Sequence, residues 1–204
     1  MINLQDFNTV QEIVAHKYPV RTHWVIAIDI GFSSVKGLSP NKRFCFPSYV
    51  KKMDGKLMSV DKDDIYYRDK DGLYLIGTNA QDLVRTDDTN DTDSSFDRNR
   101  YFTKEFLILA RTAVAIGLSE NEVRKNHPAL KPFIQTGLPA AYLKEDAPKI
   151  KNAFCQAGTY EVKIGNGNWE RYENSFTPRD VSVMAQPAGT LSSLLFDDNG
   201  DERK

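Results

Sequence analysis

Between residues 29 and 36 the chain reads Asp-Ile-Gly-Phe-Ser-Ser-Val-Lys, residue types whose spacing suits the binding of a phosphate group. Asp29 ends an apolar run, where burying a carboxylate is costly unless a cation or hydrogen-bond donors lie nearby. Gly31 lets the backbone turn sharply and approach a ligand closely. Successive backbone N–H groups around such a turn can point at one anion. The small hydroxyl side chains of Ser33 and Ser34 add donors without obstructing that approach. Lys36 then returns on the next extended segment, able to neutralise phosphate charge. A carboxylate for hydrated Mg²⁺ and an ammonium for phosphate is what nucleotide chemistry requires. The same residues also fit a plain β-hairpin whose Asp and Gly serve only the turn. The pattern is not a P-loop, because no Gly-Lys-Ser/Thr opens a helix. Nor is it a dinucleotide fingerprint, which needs further glycines and a helix after the strand.

The elements that must position this loop can be read on either side of it. Trp24-Val25-Ile26-Ala27-Ile28 is a continuous apolar run that suits a strand buried on both faces. Val35 to Leu38 resumes extended character, Ser39 to Lys42 is a turn, and Arg43 to Phe46 stops at Pro47. Three antiparallel strands are predicted. Short strand-like pieces follow at 56–60, 64–68 and 73–76, with turns at Asp54-Gly55 and Asp71-Gly72. Residues 87–100 are polar and predict a mobile surface loop whose acidic groups are solvated. Phe102, Phe106, Leu109, Ala110, Ala113 and Ile116 share one helical face, with Gly117 as a stop. A strand over 131–136 ends at Gly137-Leu138-Pro139, and a helix follows with Leu143, Ala147, Ile150 and Phe154 inward. Segments 159–164 and 169–176 flank Gly165-Asn166-Gly167-Asn168 as a hairpin. The last strand, 180–184, leads to Gln186-Pro187 and a helix reaching Leu195, where Pro187 suits a helix start. At the other end, Leu4, Phe7, Val10, Ile13 and Val14 fit a short amphipathic helix within 2–17, closed by Pro19. The order predicts an α/β domain whose sheet mixes antiparallel and parallel strands.

Composition narrows the function classes. The chain has 204 residues, enough for a real core, and 40% of them are apolar. Lys plus Arg number 27 against 28 Asp plus Glu, so no basic surplus favours direct nucleic-acid contact. Any DNA connection is expected to run through a partner. No apolar run approaches the roughly 18 residues of a membrane-spanning helix. The first residues lack a basic start and apolar stretch, so a cytoplasmic location is expected. Cys45 and Cys155 are expected to be buried free thiols. His16, His23 and His127 show no metal-ligand spacing.

Val25 to Gly31 with Lys36 resembles the first phosphate loop of the actin, Hsp70 and sugar-kinase superfamily. Later pieces resemble the bacterial actin-like ATPases of the ParM/StbA plasmid-segregation type. These are Phe46-Pro47-Ser48, Tyr74-Leu75-Ile76-Gly77 with Ala80, Thr136-Gly137-Leu138-Pro139, and Val181 to Gly189. The resemblance implies a ribonuclease H-like actin-type ATPase lobe with a mixed sheet and a small inserted subdomain. Residues 1–22 read as an N-terminal extension, helical in character. Residues 23–196 read as the first lobe, with 51–100 approximately the inserted subdomain, and 197–204 as a polar tail at a truncation point. By similarity, Asp29 would hold Mg²⁺ through water and Lys36 would contact the β- and γ-phosphates of ATP. Gly31, Phe32, Ser33 and Ser34 would supply backbone and hydroxyl donors. Gln186 would orient the attacking water, since an amide holds water without ionising. For Thr136 and Gly137 the expected role is to shape a strand-to-helix turn.

The resemblance also implies a missing half. An actin-like ATPase holds its nucleotide between two lobes, and no second apolar-strand-Asp-x-Gly segment follows Leu195. A first-lobe fragment with weak ATP binding and poor hydrolysis is expected. Implied partners are further copies of the protein in a filament and a DNA-bound adaptor, with no membrane. Two other readings stay open: a small-molecule kinase of the same superfamily, and an actin-like scaffold that has lost catalysis.

Overall fold

The computed structural model describes residues 9–13, 23–54, 61–87, 98–119, 131–195 and 202–203. Its frame is a six-stranded mixed sheet built from β1 (Val10–Ile13), β2 (His23–Ile30), β3 (Ser34–Ser39), β4 (Lys42–Pro47), β8 (Lys131–Leu138) and β11 (Val181–Ala185). The strand order is β1-β4-β3-β2-β8-β11. The pairs β1/β4, β4/β3 and β3/β2 run antiparallel, whereas β2/β8 and β8/β11 run parallel. A tight turn suffices for an antiparallel return, but parallel neighbours need a crossover. The crossovers are α2 (Lys104–Leu118), ahead of β8, and α3 (Leu143–Cys155), ahead of β11.

A second, five-stranded antiparallel sheet comprises β5 (Val50–Met53), β6 (Ile65–Asp69), β7 (Gly72–Ile76), β9 (Gly158–Ile164) and β10 (Glu170–Asn174). Its order is β10-β9-β6-β7-β5, so the late hairpin β9–β10 joins strands drawn from residues 50–76. The turn expected at Asp71-Gly72 closes β6 onto β7, with Asp69 opposite Gly72 and Gly72 at a φ of 141°. One core spans both sheets: Trp24, Ile26 and Ile28 of β2 belong to the same buried cluster as Ile65, Tyr67 and Tyr160. Helix α2 lies within it, every residue from Phe106 to Gly117 being buried. Two helices complete the described chain, α1 (Thr78–Asp87) and α4 (Gln186–Leu195). Among the described residues no helix is long and apolar enough to cross a membrane.

Four expectations need correction. The helix expected within 2–17 is contradicted at Val10–Ile13, which is a strand on the outer edge of β4. Helical spacing there does not mark a buried face, since Val10 is 50% and Ile13 78% exposed. An edge strand offers a row of unpaired N–H and C=O groups, and an extended segment satisfies them where a helix does not. Residues 1–8 and 14–22 lie outside the described residues, as does the strand expected at 56–60. Strand β2 buries Trp24, Ile26 and Ile28 while leaving Val25 44% exposed, so its apolar run is covered on one face rather than two. Gly117 does not stop α2. Its carbonyl accepts the Trp24 indole N–H at 2.9 Å, and a Cβ there would meet Ile26 Cγ2 at 2.7 Å. The glycine allows close approach of helix and sheet. Finally, at the end of the expected 87–100 loop, Arg98–Phe102 forms a 3-10 turn with Arg100 buried; 88–97 lie outside the described residues. The two cysteines are free thiols, Cys45 buried and Cys155 half-buried.

Candidate functional site

The site is built on the β2–β3 hairpin. Its ladder sets Asp29 directly opposite Lys36 and Ile30 opposite Val35. Opposed residues on a two-stranded ladder carry side chains to the same face, so a carboxylate and an ammonium share one side of the hairpin. The turn closes with the Gly31 N–H donating to the Ser34 carbonyl at 3.0 Å, and a Cβ on Gly31 would stand 3.0 Å from that same oxygen. Ser33 and Lys36 are exposed and Asp29 is half-buried. Ser34 is placed differently: it is 3% exposed, and its hydroxyl hydrogen-bonds the thiol of Cys45, the β4 residue opposite Lys36. Burial pushes that thiol up, against smaller opposing effects from Ser34 and Lys36.

Carbonyls of the loop are gripped from behind. The Ser48 N–H donates to the Ser33 carbonyl and the Ser48 hydroxyl to the Gly31 carbonyl, each at 3.0 Å. The Arg100 guanidinium donates to the carbonyls of Ile30 at 3.2 Å and Gly31 at 3.0 Å. It also lies 4.5 Å from the centre of the Phe32 ring, which is itself 49% exposed at the hairpin tip. Burial draws the Arg100 guanidinium below its ordinary value, with the Tyr101 and Asp29 charges acting the other way. A guanidinium nevertheless keeps its proton at neutral pH.

The far side of the site comes from 157 residues along the chain. Strand β11 is parallel to β8 and β8 to β2, so the end of β11 arrives level with the end of β2. There Gln186 opens α4, and its side-chain amide donates to Asp29 Oδ1 at 3.3 Å. The intervening strand contributes Gly137, which is paired with Met184. A Cβ on Gly137 would meet Gln186 Cγ at 3.0 Å, so the missing side chain is what lets the glutamine reach across β8. The structure thus brings together Asp29, Gly31, Phe32, Ser33, Lys36 and Gln186, and turns the Ser34 hydroxyl inward. Sequence reasoning missed Arg100 altogether, and it assigned Gly137 to turn shaping. A clue to Arg100 existed in Thr103, whose hydroxyl accepts the Phe106 N–H as the cap of α2 and donates to the Arg100 carbonyl at 2.8 Å. A capped helix start fixes the turn before it.

The donor set is compatible with a hydrated divalent cation and a phosphate chain. Mg²⁺ commonly uses one or two carboxylates and keeps several waters, which a single half-buried Asp29 beside an amide can accommodate. Comparison with known proteins gives the same frame. The family model of the actin-like protein N-terminal domain matches residues 27–189. Among solved structures, the fold is similar to a non-polymerisable quadruple mutant of pCBH ParM, with 22% identity and a TM-score of 0.62 over 87% of this chain and 53% of that one. It is similar also to the ParM of a 15-stranded filament from Clostridium botulinum, with 20% identity and a TM-score of 0.63 over 87% and 54%. AlfA from a Bacillus subtilis plasmid filament follows, with 16% identity and a TM-score of 0.55 over 85% and 60%. This chain spans about half the length of the ParM chains it matches. No curated protein matches it.

Proposed function

The chain belongs to the family of actin-like protein N-terminal domains, and from that premise we propose that it is the ATP-binding first lobe of a filament-forming protein that segregates plasmid or mobile-element DNA. The observation that carries the reading is the meeting of Asp29, Lys36 and Gln186 at one hairpin although Gln186 is remote in sequence. Backbone N–H groups of Phe32 to Ser34 and the Lys36 ammonium would receive the β- and γ-phosphates, the Gly31 N–H being engaged with the Ser34 carbonyl. Asp29 would hold Mg²⁺ through water, and the bound cation would offset phosphate charge. Gln186 would orient the attacking water, its amide serving as donor and acceptor without a change of protonation. The Asp29 to Gln186 hydrogen bond holds that amide over the phosphate side of the hairpin.

The similar ParM from Clostridium botulinum and AlfA were both solved as filaments, which supports self-association here. The DNA link would pass through an adaptor, in keeping with the near balance of 27 basic and 28 acidic residues. A cytoplasmic setting accords with both.

Turnover and assembly test the reading. In a protein carrying this lobe and a second one, Lys36→Ala should lower ATP turnover by about 100-fold or more, the range for removing a charge-stabilising group. The 204-residue chain alone should bind ATP weakly and hydrolyse it poorly. Robust hydrolysis by that chain, lost in Lys36→Ala, would overturn the half-site assignment. Light scattering that stays flat with every nucleotide would favour a scaffold or a kinase over a filament.

A further inference from the structure

Arg100 donates to two carbonyls of the hairpin and is not among the residues expected to touch phosphate. It is 7% exposed, and it reaches across 70 residues of sequence to the carbonyls of Ile30 and Gly31. A buried guanidinium with fixed acceptors is a costly thing to keep unless its geometry matters. We propose that Arg100 is a positioning residue for phosphate binding, one that sets the orientation of the Ile30–Gly31 and Gly31–Phe32 peptides. The proposal rests on the reading of the hairpin as a phosphate site.

The argument is geometric. Each peptide unit is planar, so pinning its carbonyl also fixes the direction of its N–H. With the Ile30 carbonyl on Arg100, the Gly31 N–H is held on the Ser34 carbonyl, and with the Gly31 carbonyl on Arg100 and on the Ser48 hydroxyl, the direction of the Phe32 N–H is fixed. A loop carbonyl released from this grip can rotate and present a partial negative charge to the anion. The guanidinium is itself immobilised. Its Cζ lies 4.5 Å from the centre of the Phe32 ring and 5.4 Å from that of Phe106, and its backbone is tied to the Thr103 cap of α2. Contact with two aromatic rings and two carbonyls restricts the orientation of the planar fork of donors. A lysine ammonium lacks that fixed fork and the same planar contact with the rings. Arg100 therefore connects the start of α2 to the shape of the phosphate loop.

The test uses the 204-residue chain with inorganic tripolyphosphate as probe, followed by ¹⁵N–¹H spectra of the hairpin amides, with melting temperature measured alongside. The wild type should show saturable shifts at Gly31 to Ser34. Arg100→Met, which retains bulk and loses the donors, should weaken tripolyphosphate at least tenfold, and Arg100→Lys should recover only part of that. Ser48→Ala, which removes the second grip on the Gly31 carbonyl, should give a smaller loss at the same amides. A role confined to stability would lower the melting temperature and leave the affinity of the folded protein unchanged. If the folded Arg100 variants bind within twofold of wild type, the proposal is wrong while the phosphate site survives. Should the wild type show no shift at Gly31 to Ser34 with millimolar tripolyphosphate, the phosphate reading falls and the role of Arg100 falls with it.

Discussion

In the five-stranded sheet, charged groups face one another; in the six-stranded sheet they gather at an open turn. Arg111 on α2 is buried and donates to the Tyr67 hydroxyl at 3.0 Å and to the carbonyls of Gln156 and Ala157 at 3.1 and 3.2 Å. Tyr67 in turn donates to Asp69, and Lys104 pairs with both Asp69 and Asp71. Tyr67, Tyr160 and Tyr172 stack in succession beside this network, and burial pushes the hydroxyl of Tyr67 well above its ordinary value. At the neighbouring Tyr66, burial with an added contribution from Asp64 pushes the hydroxyl up to about 12. These groups are clustered, and they are spent largely on each other inside the fold, the Arg111 Nε–H being buried without an acceptor. Asp29, Lys36 and Gln186 are fewer and more exposed, and the strands bring them to a turn whose carbonyls are gripped by Arg100 and Ser48. Clustered charge alone marks either a strut or a site, and the direction of the hydrogen bonds distinguishes them.

That contrast can be broken by mutation. The largest effect should come from Arg111→Ala, which takes from the buried Tyr67 hydroxyl its donor and from the carbonyls of Gln156 and Ala157 one donor each, the Gln156 carbonyl keeping Asn174. A loss of about 3–5 kcal/mol is expected in urea unfolding, the scale for removing one partner from a buried charged network. Tripolyphosphate shifts at the hairpin should persist while the variant is folded; their disappearance would join the two regions into one site. Gly137→Ala should do the converse. Its new methyl would press on Gln186 and move the amide from Asp29, lowering turnover of a two-lobed protein by about tenfold, or about 1.4 kcal/mol, with little change in unfolding. Unchanged turnover would remove Gln186 from the proposed chemistry.

The smallest effect is expected at Asp180, just before β11. The Thr177 hydroxyl and N–H donate to its carboxylate at 2.7 and 2.8 Å and hold it below the usual carboxylate range. A depressed native value means that the stabilisation is present above the ordinary pKa of an aspartate, about 3.9. It is lost as pH falls through the native value. The group is half-buried but its hydrogen bonds lie at the surface, so Asp180→Asn should cost less than about 1 kcal/mol at neutral pH. The signature is a narrower gap between melting temperatures at neutral and acid pH; an unchanged gap would mean that Thr177 does not favour the charged form.

Much of the frame was legible because local signals and tertiary structure agree. The strands flanking Asp29 and Lys36, the Gly165 to Asn168 hairpin and the Gln186-Pro187 helix start each carry their own punctuation. What stayed hidden depended on pairing between distant segments. Val10 and Ile13 have helical spacing, and only the vacant edge of β4 makes them a strand. Gly117 looks like a stop until Trp24 and Ile26 are seen against it. Gly137 sits in a motif visible in sequence, but its purpose depends on a glutamine arriving just past the end of β11, the neighbouring strand of the sheet. Arg100 lies in a stretch whose polar composition describes solvent, and its partners are carbonyls, which leave no trace in side-chain patterns.

The indole of Trp24 is fully buried and hydrogen-bonded to α2, whereas Trp169, the only other tryptophan, is half-buried with the Arg68 guanidinium 4.4 Å from its ring centre. The six-stranded sheet therefore carries one tryptophan, and the five-stranded sheet has the other just before β10, each in its own surroundings. The tryptophan emission of the unmodified protein is a two-channel recording, in which loosening of the six-stranded sheet shifts the Trp24 component towards the red and disturbance of the other sheet registers at Trp169.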